Sequence, residues 1–173
     1  MLEFLLELDQ KLILLINSWN SPFFDRVMWW VSGKYTWWPF YLLLISFVFY
    51  YRGWKKGGLL VLFVIIAITL SDQTSVHLFK NSFQRLRPSH NPEIENMLHL
   101  VNGYRGGKYG FISSHASNSF SVALLLAAVI RKSWFGIMIF TWAVLVSDNR
   151  IYRGVHYPGD ILRGGVWGGL LGL

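Results

Sequence analysis

The chain has 173 residues, of which 53% are hydrophobic, 17% aromatic and only 14% charged. A soluble domain usually carries about 25% charged residues, so this composition, with a mean hydropathy of +0.38, excludes a disordered chain, a coiled coil and a collagen-like repeat and argues against an ordinary soluble globule. The formal charge of +7 suits a membrane protein whose Lys and Arg gather at cytoplasmic helix ends; no nucleic-acid partner is expected of so apolar a chain.

In residues 1–20 an apolar set (Leu2, Phe4, Leu5, Leu6, Leu8, Leu12, Ile13, Leu15, Ile16) alternates with Glu3, Glu7, Asp9 and Lys11, which predicts an amphipathic helix lying at the membrane interface. The early acids do not fit a cleaved signal peptide, and the absence of cysteine rules out disulfides, thiolate metal sites and a cysteine nucleophile. Ser21-Pro22 ends the helix, and residues 23–34, with Asp25, Arg26 and Trp29-Trp30, suit the headgroup level. Trp37-Trp38-Pro39 opens a charge-free run to Tyr51, the first predicted span. After Arg52, Lys55 and Lys56 a second helix is predicted over 57–79. It puts Asp72 in or beside the membrane, where a carboxyl needs a partner: either it bonds a neighbouring helix or it serves a site. Residues 81–112 form a long loop, of a length that is usually functional or mobile. Ser113–Ile130 and Ser133–Ser147 are the next helices, separated by Arg131-Lys132, and a last one is predicted from about 155 to 173, with a small-residue seam at Gly164, Gly168 and Gly172.

The expected architecture is an all-α polytopic membrane helical bundle of five transmembrane helices, six if residues 4–31 insert, with an N-terminal amphipathic interfacial helix. Residues 1–34 form the interfacial region, and residues 35–173 form the core with its loop at 81–112. The turns bearing Arg52, Lys55 and Lys56 and bearing Arg131 and Lys132 hold five basic residues and no acid, so they are assigned to the cytoplasm. The 81–112 loop and the 148–156 turn then face the periplasm or exterior.

That far face gathers three segments: KNSFQRLRP at 80–88, FISSHAS at 111–117 and RIYRGVHYPGD at 150–160. They supply Lys80, Arg87 and Arg150, two histidines (His115, His156), Ser113 at a helix start, and Asp160 four residues after His156. Fixed cations stabilise the charge on a transferring phosphoryl group, and Arg bonds two oxygens with one planar fork. A helix N-terminus at Ser113 favours an anion. On a helix His156 and Asp160 would share a face, so that the carboxylate holds one ring nitrogen and leaves the other as a nucleophile; His115 remains as a general acid. Taken singly, such cations often only contact lipid headgroups and such a His–Asp pair is often plain helix pairing. Their convergence from separate helices favours chemistry. The spacing of His77, His90 and His99 fits no standard metal-ligand set.

These segments resemble the membrane-bound type-2 phosphatidic acid phosphatases, whose core is shared with vanadium haloperoxidases. The family's Lys, six residues, Arg-Pro matches Lys80 and Arg87-Pro88; its Pro-Ser-Gly-His matches Ile112-Ser113-Ser114-His115 in part; its Ser-Arg, five residues, His, three residues, Asp matches Arg150, His156 and Asp160, with Asn149 in the serine place. The resemblance covers roughly residues 35–173. It implies attack by His156 to give a phosphohistidine, orientation by Asp160, and protonation of the leaving oxygen by His115. Lys80, Arg87, Ser113, Ser114 and Arg150 would hold the phosphoryl oxygens, with no metal or cofactor. The substrate would be a membrane lipid phosphate (phosphatidylglycerophosphate, phosphatidic acid, undecaprenyl diphosphate or a lipid A phosphate) at the outer face of the inner membrane. Residues 89–110, where Asn102 to Lys108 mixes glycine hinges with cations, are expected to be a lid or headgroup-selecting loop, or else a loop that only packs over the site. The alternatives are a lipid phosphotransferase and a catalytically silent protein that binds phospholipid or transports an anion.

Overall fold

A computed structural model describes residues 2–33 and 35–173 of the chain. Among the described residues there are helices and a single isolated antiparallel bridge, Leu86 to Tyr109, and no named strand. Helix α1 (Leu2–Ser18) is followed, after the break expected at Ser21-Pro22, by α2 (Pro22–Val31): Ser21 Oγ accepts the Phe24 N–H and Pro22 fixes the first turn. The boundary expected after Lys34 falls at a residue outside those described.

A helical run from Trp38 to Phe83 is long and apolar enough to cross a membrane, but it is broken at Gly53, whose φ of 71° only glycine adopts freely. Residues 38–52 (α3) fold back on residues 54–83 (α4). Gly57 meets Phe49 so closely that a Cβ there would stand 3.2 Å from the Phe49 Cα, and Tyr41 and Asp72 line one cavity. One residue thus makes the turn, and α4 begins at 54 rather than at the expected 57. It also runs past 79, through a π-helical stretch Ser75–Lys80 and one more turn to Phe83, before Gln84 takes a left-handed conformation.

Helix α5 (Ser114–Ile130) and α6 (Ser133–Tyr152) follow, and α7 spans Pro158–Leu171. The last helix starts three residues later than expected because Pro158 sets its first turn. Its glycine seam lies against the α5 backbone: Cβ atoms on Gly164, Gly168 and Gly172 would meet the carbonyls of Ser113, Ser117 and Ser121. Both series repeat every four residues, so from Gly164 to Gly172 the two helices approach through this glycine seam.

One core of Val48, Leu60, Leu126, Ile130, Phe135 and Ile139 fills the bundle where α3 to α6 meet. Phe47 stacks on Phe135 at 5.3 Å, which brings the Gly53 turn and the Arg131-Lys132 turn to one end. His115 lies at the other end of α5, about 24 Å away at 1.5 Å per residue. There a second core joins Ile13 of α1 to Ile94, Ala116, Ile151, Tyr157 and Ile161. Helix α1 is therefore docked by its apolar face, and its expected polar face gives up Asp9, which is buried. Large apolar side chains point outward along the bundle, among them Leu42 (63% exposed), Ile137 (70%) and Leu162 (71%), a surface suited to lipid rather than water.

Candidate active site

The site is assembled at the start of α5 and α7, and the two starts are joined directly: the Ser113 N–H donates to the Asp160 carbonyl at 3.1 Å. The turn after α6 folds back over its own last residues, since the N–H groups of Val155 and His156 both donate to the Arg150 carbonyl at 3.1 and 3.3 Å. That places His156 in the interior, 1% exposed.

His156 precedes α7, because Tyr157 caps the helix and Pro158 begins it. The expected shared helical face is therefore corrected to a pair spanning a helix start. His156 Nδ1 stands 3.6 Å from Asp160 Oδ2, with no hydrogen bond between the two. The carboxylate is held by other groups: Oδ1 accepts from Arg85 at 3.0 Å and Oδ2 from the Tyr157 N–H at 3.2 Å. Burial pushes the His156 imidazole well below the usual histidine range, and Arg87, Lys80 and Arg150 push it the same way. The ring is thus uncharged at neutral pH, as a nucleophile must be.

The three expected cations converge on it. Lys80 Nζ donates to Ser114 Oγ at 2.7 Å. Arg87 Nε donates to the Tyr109 carbonyl at 3.1 Å; burial lowers its pKa, though not enough to uncharge a guanidinium. Arg150 is 8% exposed, and among the described residues its Nε has no partner and no carboxylate pairs with it. A buried guanidinium without an acceptor is costly, and an incoming anion would relieve that cost. Gly110 sits among these groups: a Cβ there would stand 3.0 Å from Arg87 Cγ and 3.2 Å from Asp160 Oδ2, so a larger residue would have to push these side chains aside.

Ser113 is fully buried and its Oγ accepts the Ala116 N–H as the α5 cap. The N–H groups of Ser114 and His115 are those that the helix itself leaves unpaired for an anion. His115 opens into a cavity of about 520 Å³ between α3, α4, α5 and α6, lined by Leu44, Val48, Val64, Ile68, Val122 and Leu126 with Asp72 and Asn118 as polar members. Asp72 thus faces the site cavity. His156, Arg150, Arg87 and Lys80 all lie within electrostatic reach of the His115 ring. Asn149, in the family's serine position, turns away: its Nδ2 donates to the Met28 carbonyl at 2.6 Å and its Oδ1 accepts from Ser32, tying α2 to α6.

The 84–113 segment is a bonded wall. The Arg87 N–H donates to the Lys108 carbonyl and the Gly110 N–H to the Arg85 carbonyl, Ser89 Oγ donates to the Arg105 carbonyl at 2.7 Å, and Asn91 Nδ2 donates to the Tyr157 hydroxyl at 3.0 Å. Sequence reasoning missed Asp9 and Arg85 behind Asp160, and Arg153, which is sandwiched between Trp29 and Tyr104 with its carbon Cζ 5.0 and 4.3 Å from the ring centres. Only the nearness of Arg85 to Arg87 in sequence hinted at it. Among the described residues no group of three or more His, Asp or Glu forms a metal-binding cluster.

The chain is similar to known proteins in sequence and in fold. Residues 56–173 match the family model of the PAP2 superfamily. A lipid A 4'-phosphatase of Bacteroides thetaiotaomicron is 40% identical over 99% of this chain and 77% of its own length. A lipid A 4'-phosphatase of Porphyromonas gingivalis is 37% identical over 94% of this chain and 69% of its own. Among solved structures, Aquifex aeolicus LpxE superposes with a TM-score of 0.69 at 24% identity, covering 95% of this chain and 92% of that one. The PAP2-type phosphatidylglycerolphosphate phosphatase of Bacillus subtilis superposes with 0.67 at 23% identity, covering 94% and 82%. With the sequence match, the shared fold and the convergence of two imidazoles on one cationic pocket, the chain belongs to the PAP2 superfamily and is a membrane phosphatase of lipid phosphates.

Proposed function

We propose that this chain removes the 4'-phosphate of lipid A through a phosphohistidine. The observation that carries the mechanism is the uncharged, buried imidazole of His156 facing Lys80, Arg87 and Arg150; the names of the two relatives with the highest identity reported above supply the substrate. The His156 nitrogen bonds to phosphorus as the phosphorus–oxygen bond to the lipid breaks, and His115 gives its proton to the departing oxygen. Water then attacks the phosphohistidine with His115 as base, releasing phosphate and restoring His156. Lys80, Arg87 and Arg150, with the α5 start at Ser113 and Ser114, hold the phosphoryl oxygens. Asp160 orients the pair, and no metal takes part.

In this reading residues 35–173 are the catalytic core and cross the inner membrane several times. The Gly53 and Arg131-Lys132 turns lie in the cytoplasm, and the pocket, at the far end of α5, faces the periplasm. The apolar cavity on the His115 side receives the lipid from which phosphate departs, which favours hydrolysis of a membrane lipid over that of a soluble ester.

The test is phosphate release by purified protein in detergent from lipid A bisphosphate, phosphatidylglycerophosphate, phosphatidic acid and undecaprenyl diphosphate, with and without EDTA or vanadate. Vanadate, which mimics five-coordinate phosphorus, inhibits and EDTA does not; lipid A is the preferred substrate and loses its 4'-phosphate. Inhibition by EDTA would overturn the metal-free mechanism, and preference for another lipid would overturn the substrate.

A further inference from the structure

Arg85 stands in none of the roles assigned so far, yet it is the group most directly bonded to Asp160. Its guanidinium bridges two carboxylates: NH1 donates to Asp160 Oδ1 at 3.0 Å and NH2 to Asp9 Oδ2 at 2.9 Å. The fork lies over the Tyr157 ring, with Cζ 4.1 Å from its centre. Asp9, on α1, also accepts the Gly159 N–H at 2.8 Å through its other oxygen. An N-terminal acid 151 residues away from Asp160 in sequence is thereby fastened to the first turn of α7 twice, once through Arg85 and once through the backbone.

The arrangement answers a geometric problem. Asp160 stands 3.6 Å from His156 Nδ1 without a hydrogen bond, so the histidine does not hold it. The Tyr157 N–H and the Arg85 fork do. Arg85 also neutralises part of the Asp160 charge beside an imidazole that must stay uncharged until it attacks. The charged and titratable groups around His156 are Asp160 and Tyr157 at the α7 start, Arg150 on α6, His115 on α5, Lys80 on α4 and Arg87 on the loop. Asp160 is further faced by Arg85 and Arg163. Asp160 is the one carboxylate in this set, and Arg85 pairs with it.

We propose that Arg85, anchored by Asp9 of the N-terminal helix, is a positioning residue that fixes Asp160 and moderates its pull on the His156 proton. This rests on the phosphohistidine reading above. The interfacial helix is then part of the catalytic apparatus, because its docking sets the aim of the α7 carboxylate.

The test measures kcat, KM and the pH profile of kcat/KM on lipid A bisphosphate micelles for Arg85→Gln, Arg85→Lys, Asp9→Asn and the Gln/Asn double variant. In Arg85→Gln, kcat falls about tenfold or more with KM within about twofold. The acidic limb moves up by about one pH unit, because the unscreened carboxylate favours the protonated imidazole. Arg85→Lys keeps a charge but not the fork, so it recovers the limb while kcat stays reduced. Asp9→Asn lowers kcat several-fold without raising the limb, and adds little on top of Arg85→Gln. A wild-type kcat and limb in Arg85→Gln overturns the proposal, as does a loss that merely follows the folded fraction with the limb unmoved. Should Arg85→Gln fail to fold, wild-type kcat in both Arg85→Lys and Asp9→Asn overturns it equally. His156→Asn in the same assay separates the two ideas: retained turnover there defeats the phosphohistidine reading itself, whatever Arg85 does.

Discussion

Adding one methyl group at Gly164 tests whether the packing of α5 on α7 sets the catalytic geometry. A Cβ on Gly164 would stand 2.6 Å from the Ser113 carbonyl oxygen, about 0.8 Å inside the 3.4 Å at which ordinary contact begins. The obstacle is backbone at a helix cap, so the helices must part. The part that shifts carries Ser113 and Asp160, which are hydrogen-bonded across the same gap. A misplacement of about 1 Å can cost about 100-fold in rate, so Gly164→Ala should lower kcat by about 10- to 100-fold. Overpacking costs about 1–3 kcal/mol and the gain in helix propensity offsets about 1 kcal/mol, a net loss of up to about 2 kcal/mol. Gly169→Ala is the control, since its Cβ would meet only Leu124 Cδ2 at 3.8 Å; it should keep full activity and melt no lower than the parent. Phosphate release and thermal unfolding in one detergent decide the matter. Wild-type kcat in Gly164→Ala, or equal damage in the two variants, would refute the reasoning.

Three further outcomes are expected. His156 is held below its ordinary pKa, so below about pH 6.5 the unfolded chain binds a proton that the folded one refuses; stability present above that pH is lost as pH falls towards the folded value, by at most about 1.4 kcal/mol per unit. Melting between pH 7.5 and 5.5 should show this slope in the parent and lose it in His156→Asn. Arg150→Met should cut kcat by about 100- to 1,000-fold, as loss of a donor to transition-state charge does, while leaving the melting temperature equal or higher, because a buried guanidinium with no acceptor is removed; a sharply lowered melting temperature would show the arginine to be structural. Asn149→Ser, which installs the family's residue, should destabilise by about 1 kcal/mol through the lost bond to Met28, read as a lower melting temperature with kcat little changed.

The sequence made the chemistry legible where it is local. Lys80 with Arg87-Pro88, Ser113 to His115, and Arg150 through Asp160 each lie within one short segment, and the structure brings all three to one end of the bundle. The glycine seam was visible for the same reason, as a four-residue period along one helix. What the sequence hid depends on pairings made only by folding. Asp9 looks like one more interfacial charge until Arg85, 76 residues on, is seen to bond it. Asn149 occupies the serine position of a phosphate-binding motif, but its partner is a carbonyl 121 residues earlier. The turn at Gly53 was masked by Lys55 and Lys56, which look like loop residues but are helical.

The seam between α5 and α7 also bears on how this scaffold diversifies. Helix α5, which carries His115, and α7, which His156 immediately precedes, meet along Gly164, Gly168 and Gly172 through backbone and glycine, so almost no side chain there can be exchanged without disturbing the site. The opposite boundary of the cavity, α3 and α4, presents interchangeable Leu, Val and Ile side chains. Under the proposed function, swapping one aliphatic residue for another along that wall would reshape the space offered to a lipid tail while leaving His115, His156 and the cations in place. New lipid preferences are therefore cheapest to evolve on the hairpin side, and engineered libraries aimed at altered tail selectivity belong there.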